Sequence, residues 1–332
     1  MAEKEKKFQS YNNVELVGYI DKLEVRTDTS PKIGQYVAGQ MNIVTGEGET
    51  HYARFFTSKT RADRTTKNPL FTEIQMLQEA GLDTETLPQE ERKRIRVKVT
   101  AQWQPNAYKN RAGEEVEGLQ INVRSVKIAN EEEEDGANFR VTGAVAKKAI
   151  VETNYEGEET DRRKLTLLLV DYRGLGYEVD FIVPDYGADW ADELEIGDTI
   201  SVNGDIYAKY LVEHIERKPE NGFGKIVDTK RDIRRENLML GSEVIKTIDE
   251  AIEAEDEGEA THGFLTLKTM KLATEEYNKW KAEEFARADA NKKNSAPAKR
   301  KSAPKSDNPF AARDSAPVSN PVSDIDNLDL PF

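Results

Sequence analysis

Ring faces and cations recur at strand spacing around position 50. In Thr50–Thr57, Tyr52, Arg54 and Phe56 occupy alternate positions, and His51, Ala53 and Phe55 occupy the others. Alternate residues of a strand share a face, so one face offers two rings flanking a guanidinium. Rings stack on flat bases and cations neutralise phosphates, which is the chemistry of holding a single nucleic-acid strand. The same residues also fit an ordinary sheet in which Phe56 is buried and Tyr52 packs at an edge, because aromatic cross-strand pairs are common. The next stretch carries Lys59, Arg61, Arg64 and Lys67, with Asp63 as its one acid. Beside an aromatic face such a loop guides phosphates; elsewhere it is a solvated loop. In Arg94–Gln104 the alternation is strict. Ile95, Val97, Val99, Ala101 and Trp103 share the face that reads as core. Arg94, Arg96, Lys98, Thr100, Gln102 and Gln104 share a polar, basic outer face. Trp103 is in phase with the core, which makes it core or rim rather than a base stacker.

Other chemistries find few residues. The 332-residue chain has no cysteine, which excludes disulfides, thiolate metal sites and a cysteine nucleophile. Its histidines, His51, His214 and His262, lie far apart, so a histidine metal site would need long-range convergence. No GxxxxGK[ST], HExxH or GxSxG pattern occurs, and the carboxylates fall in runs that mark solvated faces. The expectation is a protein that is not an enzyme and takes no cofactor or metal. The opening MAEKEKKFQS lacks the apolar stretch of a secretory signal. No apolar run reaches the roughly 20 residues of a membrane span. A soluble, cytoplasmic protein without a membrane partner is expected. The net charge is −14, from 48 Lys and Arg against 62 Asp and Glu. Overall acidity argues against a polyanion partner, but exposed charges are screened over about 8 Å at physiological salt, so local charge decides. Residues 10–130 carry 17 basic and 16 acidic side chains, whereas residues 131–217 carry 9 and 22.

The elements that must position these residues are mostly strands. Val14–Arg26, Tyr36–Thr45 and Thr50–Thr57 read as strands, Leu70–Ala80 as a helix between Pro69 and Gly81, and Arg94–Trp103 and Gly118–Ile128 as strands again. The run Glu131–Asp135 reads as a linker. The order then returns in Phe139–Glu152, Arg163–Tyr172 and Gly176–Val183, a short helix over Asp185–Leu194, the strand Thr199–Tyr207 and another within 210–230. NNVELVGYIDK at 12–22 and ANFRVTGAVAK at 137–147 share alternate apolar residues followed by Gly18 and Gly143. That similarity marks a tandem duplication with a bent first strand. Three strands, a helix and two strands is the order of the five-stranded OB barrel. The expected fold class is therefore mainly β, with two tandem five-stranded OB-fold barrels over 10–130 and 136–230. A helical region over 240–290 follows, containing Ser242–Ala254 and Thr269–Ala288. Residues 295–332 hold six each of Pro, Ala and Ser, a composition that buries no core, so the tail over 291–332 is expected to be disordered. Two unrelated small β-rich domains are the alternative arrangement.

The second unit makes the poorer polyanion site. Its third strand sets Glu178 and Asp180 on one face and Tyr177, Val179 and Phe181 on the other. Its basic run, Arg162, Arg163 and Lys164, stands near Glu156, Glu158, Glu159 and Asp161. A supporting, interacting or strand-mimicking role suits it.

The chain ends SDIDNLDLPF, with Asp326, Asp329, Leu330, Pro331 and Phe332 at the tip. Pro331 stiffens the last bond, and Phe332 joins a ring to a carboxylate, a pair suited to an apolar pocket rimmed by cations. This acidic-then-Pro-Phe ending resembles that of bacterial and phage single-stranded DNA-binding proteins. The stretch RIRVKVTAQWQPNAYKNRAGEEVEGLQINVRSVKIA at 94–129 also resembles a strand–long tip–strand unit of their OB domain. The resemblance covers about half the chain. It implies that the first barrel binds single-stranded DNA, that Tyr108, Lys109 and Arg111 on the hairpin tip contact it, and that the terminal tip recruits replication and recombination proteins in a bacterial cell or phage-infected host. Tetramer formation does not carry over, because two barrels replace one. RNA is a possible ligand of the same fold. The other readings are an OB-fold scaffold for proteins and a nuclease-associated factor.

Overall fold

The computed structural model describes residues 8–61, 63, 65–80, 95–110, 112–153, 157–217, 226–256 and 263–294, with side chains described for these except 213–217, 226–232 and 291–294. Alternation of apolar and polar residues builds its first barrel from β1 (Asn12–Ser30), β2 (Gly34–Gly46), β3 (Glu49–Ser58), β4 (Arg96–Lys109) and β5 (Glu115–Ile128). β1 pairs antiparallel with β2 and β4, β2 with β3, and β4 with β5. A short parallel pairing of β3 with β5, Ala53 opposite Ile121 and Arg54 opposite Asn122, closes the cycle. The inward phase of each strand is fully buried: Val14 and Leu16, Met41 and Ile43, Ala53 and Phe55, Val97 and Val99. Helix α1 (Pro69–Glu79) plugs the barrel with Leu70, Phe71, Ile74 and Leu77, a helical spacing that begins at Pro69 in the first turn.

The second barrel repeats the scheme with β6 (Gly136–Thr153), β7 (Glu159–Val170), β8 (Gly176–Val183), β9 (Thr199–Arg217) and β10 (Ile226–Lys246). Its cycle runs β6–β7–β8–β10–β9–β6, again closed by a parallel contact, Leu238 opposite Ile182. A 3₁₀ turn over Asp185–Gly187 leads into the short helix α2 (Ala188–Glu193), between the third and fourth strands as in the first barrel. The two barrels are OB folds by this strand order. Gly18 and Gly143 hold equivalent places in β1 and β6. A Cβ at Gly18 would lie 2.2 Å from the Val44 carbonyl oxygen, and one at Gly143 would lie 2.6 Å from Leu169 Cδ2. Each barrel closes tightly there, and only a residue without a Cβ fits.

The barrels share one ten-stranded sheet. The free edge of β1 pairs with β6, from Asn12 opposite Val141 to Val17 opposite Gly136. Trp103 of β4 sits in the joint at 4% exposure, its ring centroid 5.4 Å from Phe139 and 5.8 Å from Phe181. Its carbonyl accepts from Tyr177 Oη at 2.8 Å and Asn12 Nδ2 at 2.9 Å. Trp103 thus joins the two barrels, in the core as its phase predicts.

The sequence reading ends the fourth strand at Tyr207 and sets the last within 210–230, whereas β9 runs on to Arg217 and β10 covers Ile226–Lys246. β9 and β10 form one hairpin from Thr199 to Lys246, because each supplies the other's backbone partners along its length. The first C-terminal helix, α3 (Ile248–Asp256), therefore starts after Ser242. Thr247 and Glu250 cap it reciprocally, with the Thr247 amide donating to Glu250 Oε2 at 2.9 Å. Helix α4 (Leu267–Asn294) lies across β8 and β4, burying Met270, Ala273, Tyr277 and Phe285. The tail from 295 lies outside the described residues.

Candidate nucleic-acid interface

The outward phase of β3 carries Tyr52 and Arg54, with Tyr52 63% exposed. Opposite them on β2 stand Asn42 and Gln40. Arg54 Nη1 donates to Gln120 Oε1 of β5 at 3.2 Å, and Asn122 Nδ2 donates to Gln104 Oε1 at 2.8 Å. Arg54 has no carboxylate partner among the described residues. Phe56 lies on the same face but is half-buried, its ring 5.3 Å from that of buried Tyr36. It supports the face more than it presents a ring to solvent. His51, Ala53 and Phe55 point into the core. Burial pushes the His51 pKa down, against the pull of Glu49 3.4 Å away.

Lys59, Arg61 and Lys67 are exposed at the end of this face. Lys59 Nζ donates to the neutral Gln35 Oε1 at 3.2 Å. Asp63 shapes the loop: its carboxylate accepts from the amides of Thr65 and Thr66 at 2.9 and 2.8 Å and from the Thr66 hydroxyl. Those hydrogen bonds hold the Asp63 carboxyl down at about 2. Asp63-x-Thr-Thr is a legible Asx-turn signal, and it escaped the reading that treated Asp63 as a bystander charge. Arg64 and Arg111 lie outside the described residues, as do Asp326, Asp329, Leu330, Pro331 and Phe332.

Three other cations expected to meet phosphate are tied to carboxylates. Arg96 Nε pairs with Asp135 at 2.7 Å, and its terminal nitrogens donate to the carbonyls of Asn130 and Glu133. Lys98 bridges Glu15 at 2.9 Å and Glu133 at 3.0 Å, and these contacts raise its pKa. The acidic linker is thus fastened to β4 by the side chains that read as a free basic face. Lys109 pairs with Asp289 of α4 at 2.7 Å, which raises its pKa, while neighbouring Tyr108 stays 46% exposed. Helix α4 also grips the same hairpin at Glu117, which accepts from Tyr277 Oη at 2.5 Å and Lys281 Nζ at 2.9 Å. Burial raises the Glu117 carboxyl, but these two donors outweigh it and leave it below its usual range.

The second barrel presents a different surface at the matching positions. With Gly18 and Gly143 aligned, the strand pairings place Asp180 and Ile182 where the first has Tyr52 and Arg54, with Glu178 in the place of Thr50 on the same outward phase of the third strand. Glu178 pairs with Lys147, and Asp180 with Lys164 at 2.7 Å. Next to them, Leu168 and Val170 are covered by Phe8, Leu265, Met270 and Ala273. The basic run is also occupied, by partners other than those nearest in sequence. Arg162 sits between Glu152 at 2.5 Å and Glu236 at 2.8 Å, and Arg163 meets Asp192 at 2.8 Å. A second basic run, Lys230, Arg231, Arg234 and Arg235, was passed over although its density of cations is plain in the sequence. Among the described residues no group of three His, Asp or Glu is placed to hold a metal, and no helix is long and apolar enough to cross a membrane.

Fold and surface define a two-barrel OB protein with one aromatic–basic face. The chain belongs to the YorF family, whose model matches residues 10–256. No curated protein matches it. Among solved structures it is similar to the wild-type single-stranded DNA-binding protein from Thermus aquaticus, at 15% identity and a TM-score of 0.42, covering 71% of this chain and 93% of that one. It is also similar to Rim1, a mitochondrial single-stranded DNA-binding protein from S. cerevisiae, at 18% identity and a TM-score of 0.22, covering 37% of this chain and 97% of that one.

Proposed function

We propose that the chain is a non-enzymatic single-stranded DNA-binding protein whose first barrel holds the strand across β2 and β3. The comparison of its two barrels carries this reading. A duplicated platform keeps ring and cation in one copy, while the other has carboxylates paired to lysines and a neighbouring surface covered by helix and N-terminal segment. Tyr52 takes a base and Arg54 a phosphate, with Lys59, Arg61 and Lys67 continuing the charged track. Arg96, Lys98 and Lys109 hold the linker and α4 in place, so they steady the site from outside it. In this reading the protein coats unwound DNA in replication, recombination or repair, in the cytoplasm of a bacterial cell or phage-infected host. The tip Asp326–Phe332 brings other proteins there.

The test is a fluorescence titration with oligo(dT), a matched duplex and an RNA of equal length at several salt concentrations. Tight, salt-weakened binding of oligo(dT) with weak duplex binding is expected. Tyr52→Ala should weaken it by about 1–3 kcal/mol, roughly 5- to 150-fold. Folding stability should change by less than about 0.5 kcal/mol, because the side chain is mostly exposed. Absence of oligo(dT) binding at low salt would refute the proposal, and preference for RNA would change its ligand.

A further inference from the structure

The β9–β10 hairpin does not stop at its own barrel. Lys209 pairs with Glu49 of β3, and the Tyr210 amide donates to the Gly48 carbonyl at 2.8 Å. The hairpin therefore extends the sheet of the first barrel beside its proposed strand-binding face. Residues opposite each other on paired strands share a face. Tyr210 faces with Ile233, and Ala208 with Arg235; Lys209 faces with Arg234, and Tyr207 with Glu236. Lys209 stands opposite Glu49, which is in phase with buried His51 and Ala53. The alternate set, Tyr210, Ile233 and Arg235, is consequently on the side of the sheet that carries Tyr52 and Arg54.

This set is available. Tyr210 is 55% exposed, Ile233 is 39% exposed, and Arg235 is exposed with no carboxylate partner among the described residues. On the reverse face Arg234 is occupied, its guanidinium 3.6 Å from the Tyr207 ring centroid and paired with Glu236 at 2.5 Å. Tyr52 and Tyr210 are offset by four residues along neighbouring strands, a separation of roughly 14 Å at a rise of about 3.3 Å per residue and a strand spacing of about 4.8 Å.

We propose that this arm is the second half of one nucleic-acid path, in which Tyr210 stacks a base and Arg235 meets a phosphate of the strand leaving Tyr52 and Arg54. The path thus crosses from one barrel to an arm of the other, although the second barrel's own third-strand face is acidic. The inference rests on the proposed function of the first barrel and extends it to longer strands.

The experiment titrates the full chain with oligo(dT) graded from about 4 to about 40 nucleotides, from the roughly 4–16 that one OB barrel occupies to well beyond it. Tyr210→Ala combined with Arg235→Gln should weaken binding of the long strands by at least about fivefold and leave the shortest bound strands unaffected. Tyr210→Phe, which keeps the ring, should restore most of the loss. Tyr52→Ala should weaken binding at every length. If Tyr52→Ala weakens binding and the Tyr210–Arg235 double variant changes nothing at any length, the arm is not in the path. If neither variant weakens binding, the first-barrel reading falls and the composite path with it.

Discussion

Replacing Arg54 by Gln should flatten the salt dependence of strand binding, and replacing Lys98 by Gln should not. Both are cations on outward strand positions of the first barrel, and in sequence they look alike. In the fold their charges differ in availability. The only described hydrogen-bond partner of Arg54 is the neutral Gln120, whereas Lys98 lies within 3.0 Å of both Glu15 and Glu133. A cation already matched by carboxylates releases no counterion from DNA unless those pairs open. Each phosphate neutralised on a single strand contributes about 0.7 to the slope of log K against log salt. Loss of Arg54 should lower that slope by about 0.7, which is about 2.6-fold less weakening between 50 and 200 mM salt. Fluorescence titration with oligo(dT) across that range measures it. Equal flattening by Lys98→Gln would refute the reasoning, because it would mean that the linker lets go of β4 when DNA binds.

Other outcomes follow from the packing. Trp103→Ala empties the joint between the barrels and should cost about 3–5 kcal/mol, a fall of about 6–20 °C in melting temperature; calorimetry showing a fall under about 2 °C would rule out the joint as a shared core. Tyr277→Phe removes a donor from Glu117 and should cost about 1–2 kcal/mol, with faster amide exchange along β4 and β5; unchanged exchange there would show that α4 does not brace the hairpin. The Asp63 carboxyl titrates at about 2 rather than the ordinary 3.8, so its contribution to the 59–67 loop is whole above pH 3.8 and is lost as pH falls through 2. Carboxyl NMR shifts of Asp63 read this directly, and a midpoint near 3.8 would mean that the turn is not formed.

Much of the fold was legible because its signals are local. Period-two alternation sorted His51, Ala53 and Phe55 from Tyr52 and Arg54, and Trp103 from Gln102, before any strand pairing was known. The helix after Pro69 and the matching openings at Gly18 and Gly143 made the duplicated barrel visible in the same way. The end of β10 was misread because the strand persists through pairing with β9, and a partner strand is not a local property. The missed Lys230–Arg235 run was legible in composition, but its place beside β3 was not.

Chain order and side-chain phase were determined by the sequence alone: two barrels, their inward faces, and a ring–cation–ring pattern in one of them. Tertiary structure decided which charges remain available. Arg96 and Lys98 find partners some 35 residues on in the linker, and Lys109 finds Asp289 in α4. With 62 carboxylates in the chain, sequence offers many partners to every cation and no means of choosing among them. An ion pair depends on distance across a folded surface, whereas strand phase depends on the nearest neighbours along the chain.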